Sequence, residues 1–129
     1  MKARLASTSP ERYTMRLKTA LWVAAYLRRC QAEGLFAVVR RRGAEEAGAI
    51  FVRISKLDGT SDLFGPAPQS AFDASVIAMR AFIRSFTTGP VPDATVEAYL
   101  DRQVKFDPDA WIVEVEDRQG RNFLDIVSD

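Results

Sequence analysis

Trp111-Ile112-Val113-Glu114-Val115-Glu116, near the end of a chain of 129 residues, carries the alternation that decides the fold class. Successive side chains of a strand point to opposite faces, so Trp111, Val113 and Val115 share one side and Ile112, Glu114 and Glu116 the other. An apolar face backed by a mostly charged one predicts a half-buried antiparallel strand. Just upstream, Asp93 is a suitable N-cap for a helix carrying Val96, Tyr99, Leu100 and Val104, which Asp107-Pro108-Asp109 ends. Downstream, Gln119-Gly120-Arg121 turns the chain into a short last segment, Phe123 to Val127.

Further towards the N-terminus, Leu35 to Arg42 and Ala49 to Leu57 are two β-rich runs separated by a turn-like stretch from Gly43 to Gly48, which predicts a hairpin. Asp58-Gly59 is a second turn signal, and Asp62 to Phe64 continues as a third strand. The two prolines of Gly65-Pro66-Ala67-Pro68-Gln69 cannot donate to a ladder, so that stretch is expected to leave the sheet or follow its edge. In residues 70–88, Val76, Met79, Ile83 and Phe86 fit a helical stripe while Phe82, Arg84 and Phe86 alternate as a strand. The reading is helix or loop to about residue 78, then strand.

Thr19 to Glu33 is composed of good helix formers, with Leu21, Val23, Ala24, Ala25, Leu27 and Cys30 on a broad apolar face and Gly34 placed for the C-cap. Residues 1–14 are polar and without a buried period, and read as a flexible N-terminal extension to a single domain spanning 15–129. The fold class is α+β: an N-terminal helix packed on a small antiparallel β-meander, and a second helix before a late strand.

Composition removes whole classes of chemistry. With no histidine and one cysteine in the chain, the Ser-His-Asp triad, the Cys-His dyad, the common zinc sets and an internal disulfide all lack their residues. No apolar run approaches the roughly 18 residues of a membrane span, and no glycine-rich phosphate loop occurs. A cytoplasmic protein without cofactor or membrane association is expected. The charge is split: residues 1–42 carry ten basic and two acidic side chains, and residues 43–129 carry eight and fifteen, so the halves stand at +8 and −7. A chain that carries its own counter-charge is expected to neutralise itself, within the fold or between subunits, rather than to hold nucleic acid.

Met15-Arg16-Leu17-Lys18 leading to Leu21-Trp22-Val23, then Ala37-Val38-Val39-Arg40-Arg41, Phe64-Gly65-Pro66-Ala67-Pro68-Gln69 and Phe106-Asp107-Pro108-Asp109-Ala110-Trp111 resemble a small alphaproteobacterial protein family of unknown function. The blocks G-P-A-P-Q and F-D-P-D-x-W are the most specific parts. The resemblance implies a bacterial cytoplasmic protein, a strand around residue 82 and a natural start at Met15. It brings no catalytic residues with it.

Candidate chemistry is sparse. Asp107, Asp109, Glu114 and Glu116 are enough carboxylates for a hard divalent ion in a histidine-free enzyme, but strand alternation already explains the glutamates as a solvated face. Trp22, Tyr26 and Arg29 share one helical stripe, either as core with a snorkelling arginine or as a partner-facing patch. The leading expectation is a non-catalytic interaction or regulatory module whose partner is another protein or a second copy of itself. Its candidate surface takes Arg40, Arg53, Glu114 and Glu116 as complementary charges on the sheet face opposite the core, with Phe51 and Ile112 as apolar anchors. The alternatives are nucleic-acid binding through the basic N-terminal half, and a metal-dependent enzyme using the Asp107 to Glu116 carboxylates.

Overall fold

Helix formers from Thr19 onward wind into α1 (Thr19–Ala32), which buries Thr19, Val23, Tyr26 and Cys30 along one stripe. Its end is a Schellman cap: Gly34 at φ +84°, Leu35 N–H donating to Cys30 O at 3.0 Å and Gly34 N–H to Gln31 O at 2.9 Å. Leu21, expected on the buried face, is exposed; Tyr26 takes its place, sealed by a hydrogen bond from its hydroxyl to Asn122 O at 2.7 Å. The computed structural model describes residues 18–68 and 80–127. The expected extension over residues 1–14 and the expected helix or loop over residues 70–78 lie outside them.

The remaining elements are β1 (Phe36–Arg41), β2 (Ile50–Ser55), β3 (Thr60–Pro66), β4 (Ala81–Arg84), β5 (Val91–Pro92), α2 (Asp93–Phe106), β6 (Trp111–Glu116) and β7 (Asp125–Ile126). They confirm the α+β class, with one helix ahead of the sheet and another before a late strand. The seven strands among the described residues form one sheet in the order β1-β6-β2-β3-β4-β7, with β5 pairing β3. The meander is present as β2-β3-β4, all antiparallel. The sheet as a whole is mixed, because β6 is parallel to β2 and β7 is parallel to β4.

One expectation fails here. β1 and β2 do not form a hairpin, because β6 lies between them, antiparallel to β1 and parallel to β2. The physical reason lies in the 43–48 connection, which closes over the start of β6. Ala44 N–H donates to Asp109 O at 3.0 Å, Trp111 N–H to Ala49 O at 2.8 Å, and the Trp111 indole N–H to Ala44 O at 2.7 Å. Glycine is required at Gly43, where a Cβ would stand 2.1 Å from Asp109 O and 2.6 Å from the Trp111 ring. The same connection also serves α1, whose Ala20 N–H donates to Glu45 O at 3.0 Å in place of a side-chain cap.

Two cores result, one on each face of the sheet. Under α1 lie Val23, Tyr26, Cys30, Ile50, Val52, Ile54, Phe64, Phe82, Trp111, Val113 and Val115. Under α2 lie Phe51, Leu63, Val96, Leu100, Ala110 and Ile112. The stretch Gly65-Pro66 stays in β3, but the β2 ladder stops at Val52↔Phe64 and these two residues pair with β4 alone among the described residues, so the missing proline N–H falls where no β2 pairing is made.

Gly43→Ala is expected to destabilise by at least about 1–3 kcal/mol, since the clash is with backbone and an indole rather than a flexible tip. A thermal melt within a degree of the unsubstituted chain would show that the connection does not clamp β6.

Candidate functional site

The register of four strands sets Val38, Glu114, Arg53 and Leu63 in one row across the sheet on the α2 side. Only 10% of the Arg53 side chain is exposed, so its guanidinium needs partners for every donor it cannot give to water. It finds them. Arg53 Nε donates to Ser61 Oγ at 3.0 Å, Nη1 to Glu97 Oε2 at 2.7 Å and to Glu114 Oε1 at 3.3 Å, and Nη2 lies 3.0 Å from Asp93 Oδ1. Arg40 closes the cluster with a bidentate grip on Glu97, at 2.6 and 2.8 Å, and a bond to Glu114 at 3.2 Å. Two cations against three carboxylates leave the cluster one negative charge in excess.

Asp93, expected as the N-cap of α2, is its first residue, with Pro92 at the cap position. Its carboxylate accepts from the Ser61 hydroxyl at 2.7 Å instead of from the helix backbone. The negative charge still sits in the first turn, where the helix dipole favours it. Hydrogen bonding to Arg40 holds the Glu97 carboxyl below the usual glutamate range, and burial opposes the shift only in part.

Of the six residues named for the surface, Arg40, Arg53 and Glu114 do meet, but their counter-charges are completed by α2 of the same chain. Phe51 and Ile112, expected as exposed anchors, are buried beneath that helix. The face opposite the first core is therefore a second core, and strand alternation could not distinguish a face that meets water from one that meets a helix. Glu116 lies in the next row, between Phe36 and Ser55, outside the ion cluster. Glu97, Asp93 and Ser61 were missed. The available signal was the i, i+4 spacing of Asp93 and Glu97, which puts two carboxylates on one side of α2 beside Val96 and Leu100.

Other chemistry-bearing residues have structural employment. Arg41 donates to the carbonyls of Pro108 and Ala110 at 2.9 and 2.7 Å, and Arg42 lies over the Trp111 ring at 5.0 Å. The three consecutive arginines thus have three separate partners and form no phosphate clamp. Asp107 caps its own turn by accepting from Asp109 N–H at 3.1 Å. Among the described residues no group of three or more cysteines and acids is arranged to hold a metal. Cys30 is fully buried in the α1 core, and burial pushes its thiol pKa up, away from reactivity.

Two surface features stand out among the described residues. On β1, an edge strand among the described residues, Phe36 and Val38 are 56% and 37% exposed on the α2 face, beside Glu116 and Glu114 in register. At the other side of the molecule, a shallow cleft of about 200 Å³ opens between α1 and the C-terminal segment. Trp22 and Tyr26 stack there at 5.0 Å, Trp22 touches Phe82, and the Arg29 guanidinium lies 4.8 Å over the Phe123 ring.

A mixed seven-stranded sheet with a helix on each face, and a polar cluster spent on internal pairing, defines an α+β protein whose most organised charges are structural. The chain belongs to the family described as "Protein of unknown function (DUF1491)", whose model matches residues 17–125. It is similar to a crystal structure of a DUF1491 protein from Caulobacter crescentus, with 35% identity and a TM-score of 0.71 over 88% of this chain and 99% of that one. It is also similar to a solution structure of a protein from A. tumefaciens, with 42% identity and a TM-score of 0.74 over 88% and 97%. No curated protein matches the chain. Among the described residues, no helix is long and apolar enough to cross a membrane.

Arg53→Ala removes the buried guanidinium that pairs the partly exposed carboxylates of Asp93, Glu97 and Glu114, and is expected to cost about 1–3 kcal/mol, whereas Glu116→Ala should stay within about 0.5 kcal/mol. Equal melting temperatures for the two variants would refute the ranking. The Glu97 shift also has a defined sign. A carboxyl depressed in the fold stabilises fully above its unfolded pKa of about 4.3, and that stability is lost as pH falls through the lower folded value. Glu97→Gln should therefore flatten the decline in urea midpoint measured between neutral pH and pH 3.

Proposed function

We propose that this protein is a non-catalytic interaction module of the cytoplasm, folded as one domain over 15–129, and that it associates with itself through edge strand β1. The observation that carries this reading is the exposure of Phe36 and Val38 on a strand that, among the described residues, has a neighbour on one side only. An open edge carrying apolar side chains is a template for another strand, and a monomer normally blunts it. A second copy related by a two-fold axis offers the same edge in antiparallel orientation, continues the sheet, and covers both apolar strips at once. Arg40, Glu114 and Glu116 border the strip and would orient the pairing, as expected of rim charges. The cytoplasmic reading rests on the single free thiol, Cys30, which suits a reducing compartment. Against an enzyme or a nucleic-acid clamp stands the internal pairing of Arg40 and Arg53 and the separate partners of Arg41 and Arg42.

Pairing along one six-residue strand buries an area at or below about 1,200 Å², the range of weak complexes. Sedimentation should therefore show a monomer–dimer equilibrium that shifts with concentration. Phe36→Asp with Val38→Lys should leave a monomer whose melting temperature at low concentration is unchanged. A strict monomer at several hundred micromolar would overturn the reading, and salt-sensitive retention of RNA by the unsubstituted chain would favour the nucleic-acid alternative.

A further inference from the structure

The cleft between α1 and the C-terminal segment lies at the sheet edge opposite β1, and it is independent of the pairing proposed there. Trp22, Tyr26 and Arg29 supply one wall, and Phe123, Leu124 and Asp125 the other. Its volume, about 200 Å³, is below the 300–1,000 Å³ typical of small-molecule and cofactor sites, and it is open along one side. That is room for one large side chain entering from the surface, the form an anchor pocket takes at a protein interface.

Three further observations bear on the occupant. First, the apolar surface continues beyond the cleft. Leu21, one turn before Ala25 on the same helix face, is 56% exposed, and Ile126, in register with the buried Phe82, is 42% exposed. Second, the strand beside the cleft is an open edge among the described residues. Among them β7 pairs with β4 alone, and Val127 N–H donates to Phe82 O at 2.9 Å. In a parallel ladder of that register the intervening residue points its backbone groups outward, so the N–H and C=O of Ile126 face the outside. Third, Arg29 stacks on Phe123 and among the described residues makes no ion pair, which leaves its N–H donors available at the cleft mouth. Arg28, the preceding residue, adds a second exposed cation on the same helix end, where the acids are Asp125 in the cleft lining and Glu33 at the helix C-cap.

We infer that this cleft docks an extended, acidic segment of a partner protein: the segment lies along β7, bonds to the Ile126 backbone, sets one aromatic or leucine side chain between Trp22 and Leu124, and places a carboxylate on Arg29. Strand addition supplies backbone bonds, the cleft selects the anchor, and the free guanidinium selects the charge.

The test is a titration of the isotope-labelled full chain with two blocked pentapeptides, Asp-Ser-Phe-Ser-Asp and Lys-Ser-Phe-Ser-Lys, followed by amide and indole chemical shifts. The acidic peptide should move the Trp22 indole and the amides of Leu124 and Ile126 saturably, with about tenfold tighter binding than the lysine peptide. Arg29→Glu should reverse that preference, and Ala25→Phe, which fills the cleft from an exposed helix position, should abolish both. Absence of shifts at 2 mM peptide (roughly the millimolar limit of weak recognition), equal binding of the two peptides, or shifts mapping elsewhere would overturn the inference. Shifts at these residues that grow with protein concentration alone would assign the cleft to a second copy and overturn it as well. Neither result bears on the β1 edge, whose variants are read by sedimentation.

Discussion

Everything in this fold depends on β6 finding its place between β1 and β2. A strand with hydrogen-bonded neighbours on both sides has no edge to offer water, and one whose faces are both covered must find apolar or paired neighbours above and below. Trp111, Val113 and Val115 meet the first demand against α1's core, and Ile112 meets it against α2. Glu114, which would otherwise be a half-buried charge, is matched by Arg53 and Arg40. Ala44 and Ala49 then lock the entrance of the strand with three backbone or indole bonds to Asp109 and Trp111.

The ion cluster under α2 is the polar counterpart of that packing. A buried arginine with one carboxylate would be marginal, because desolvation of both ions consumes most of their attraction. Arg53 meets three carboxylates and a hydroxyl, so each of its three nitrogens faces an acceptor and the helix carrying Asp93 and Glu97 is held at one position along the sheet. Apolar contacts among Val96, Leu100, Phe51 and Ile112 supply cohesion without direction, and the guanidinium supplies the direction.

Much of this was readable from local pattern, and the failures share one cause. Helix α1 with its Gly34 cap, the turn at Asp58-Gly59, strands β2 and β3, the strand through Phe82 and the buried Cys30 all follow from propensity, capping and periodicity, which act over a few residues. The false hairpin between β1 and β2, and the placing of Phe51 and Ile112 in solvent, are errors about which distant segment covers which face. Alternation along Trp111 to Glu116 reports two faces of different polarity and is silent on whether the polar one meets water or a charged helix. At the candidate site, Arg40, Arg53 and Glu114 were legible as complementary because charge and strand parity are local facts. Glu97 and Asp93 were not, since their role depends on α2 crossing back over the sheet.

The insertion of β6 also imposes an order of events on synthesis. A ribosome releases Phe36–Arg41 and Ile50–Ser55 long before Trp111–Glu116, so two strands that end up separated by a third wait, side by side in the sequence, for the segment that must part them. Were they to zip together first, as their turn chemistry invites, the premature pair would have to reopen. The glycine-bearing loop between them, shaped to receive Asp109 and Trp111 rather than to close a tight turn, works against that trap. Long-range pairings of this kind make folding slow relative to local meanders, and a nascent chain truncated before residue 111 would expose two unsatisfied strand edges to its neighbours.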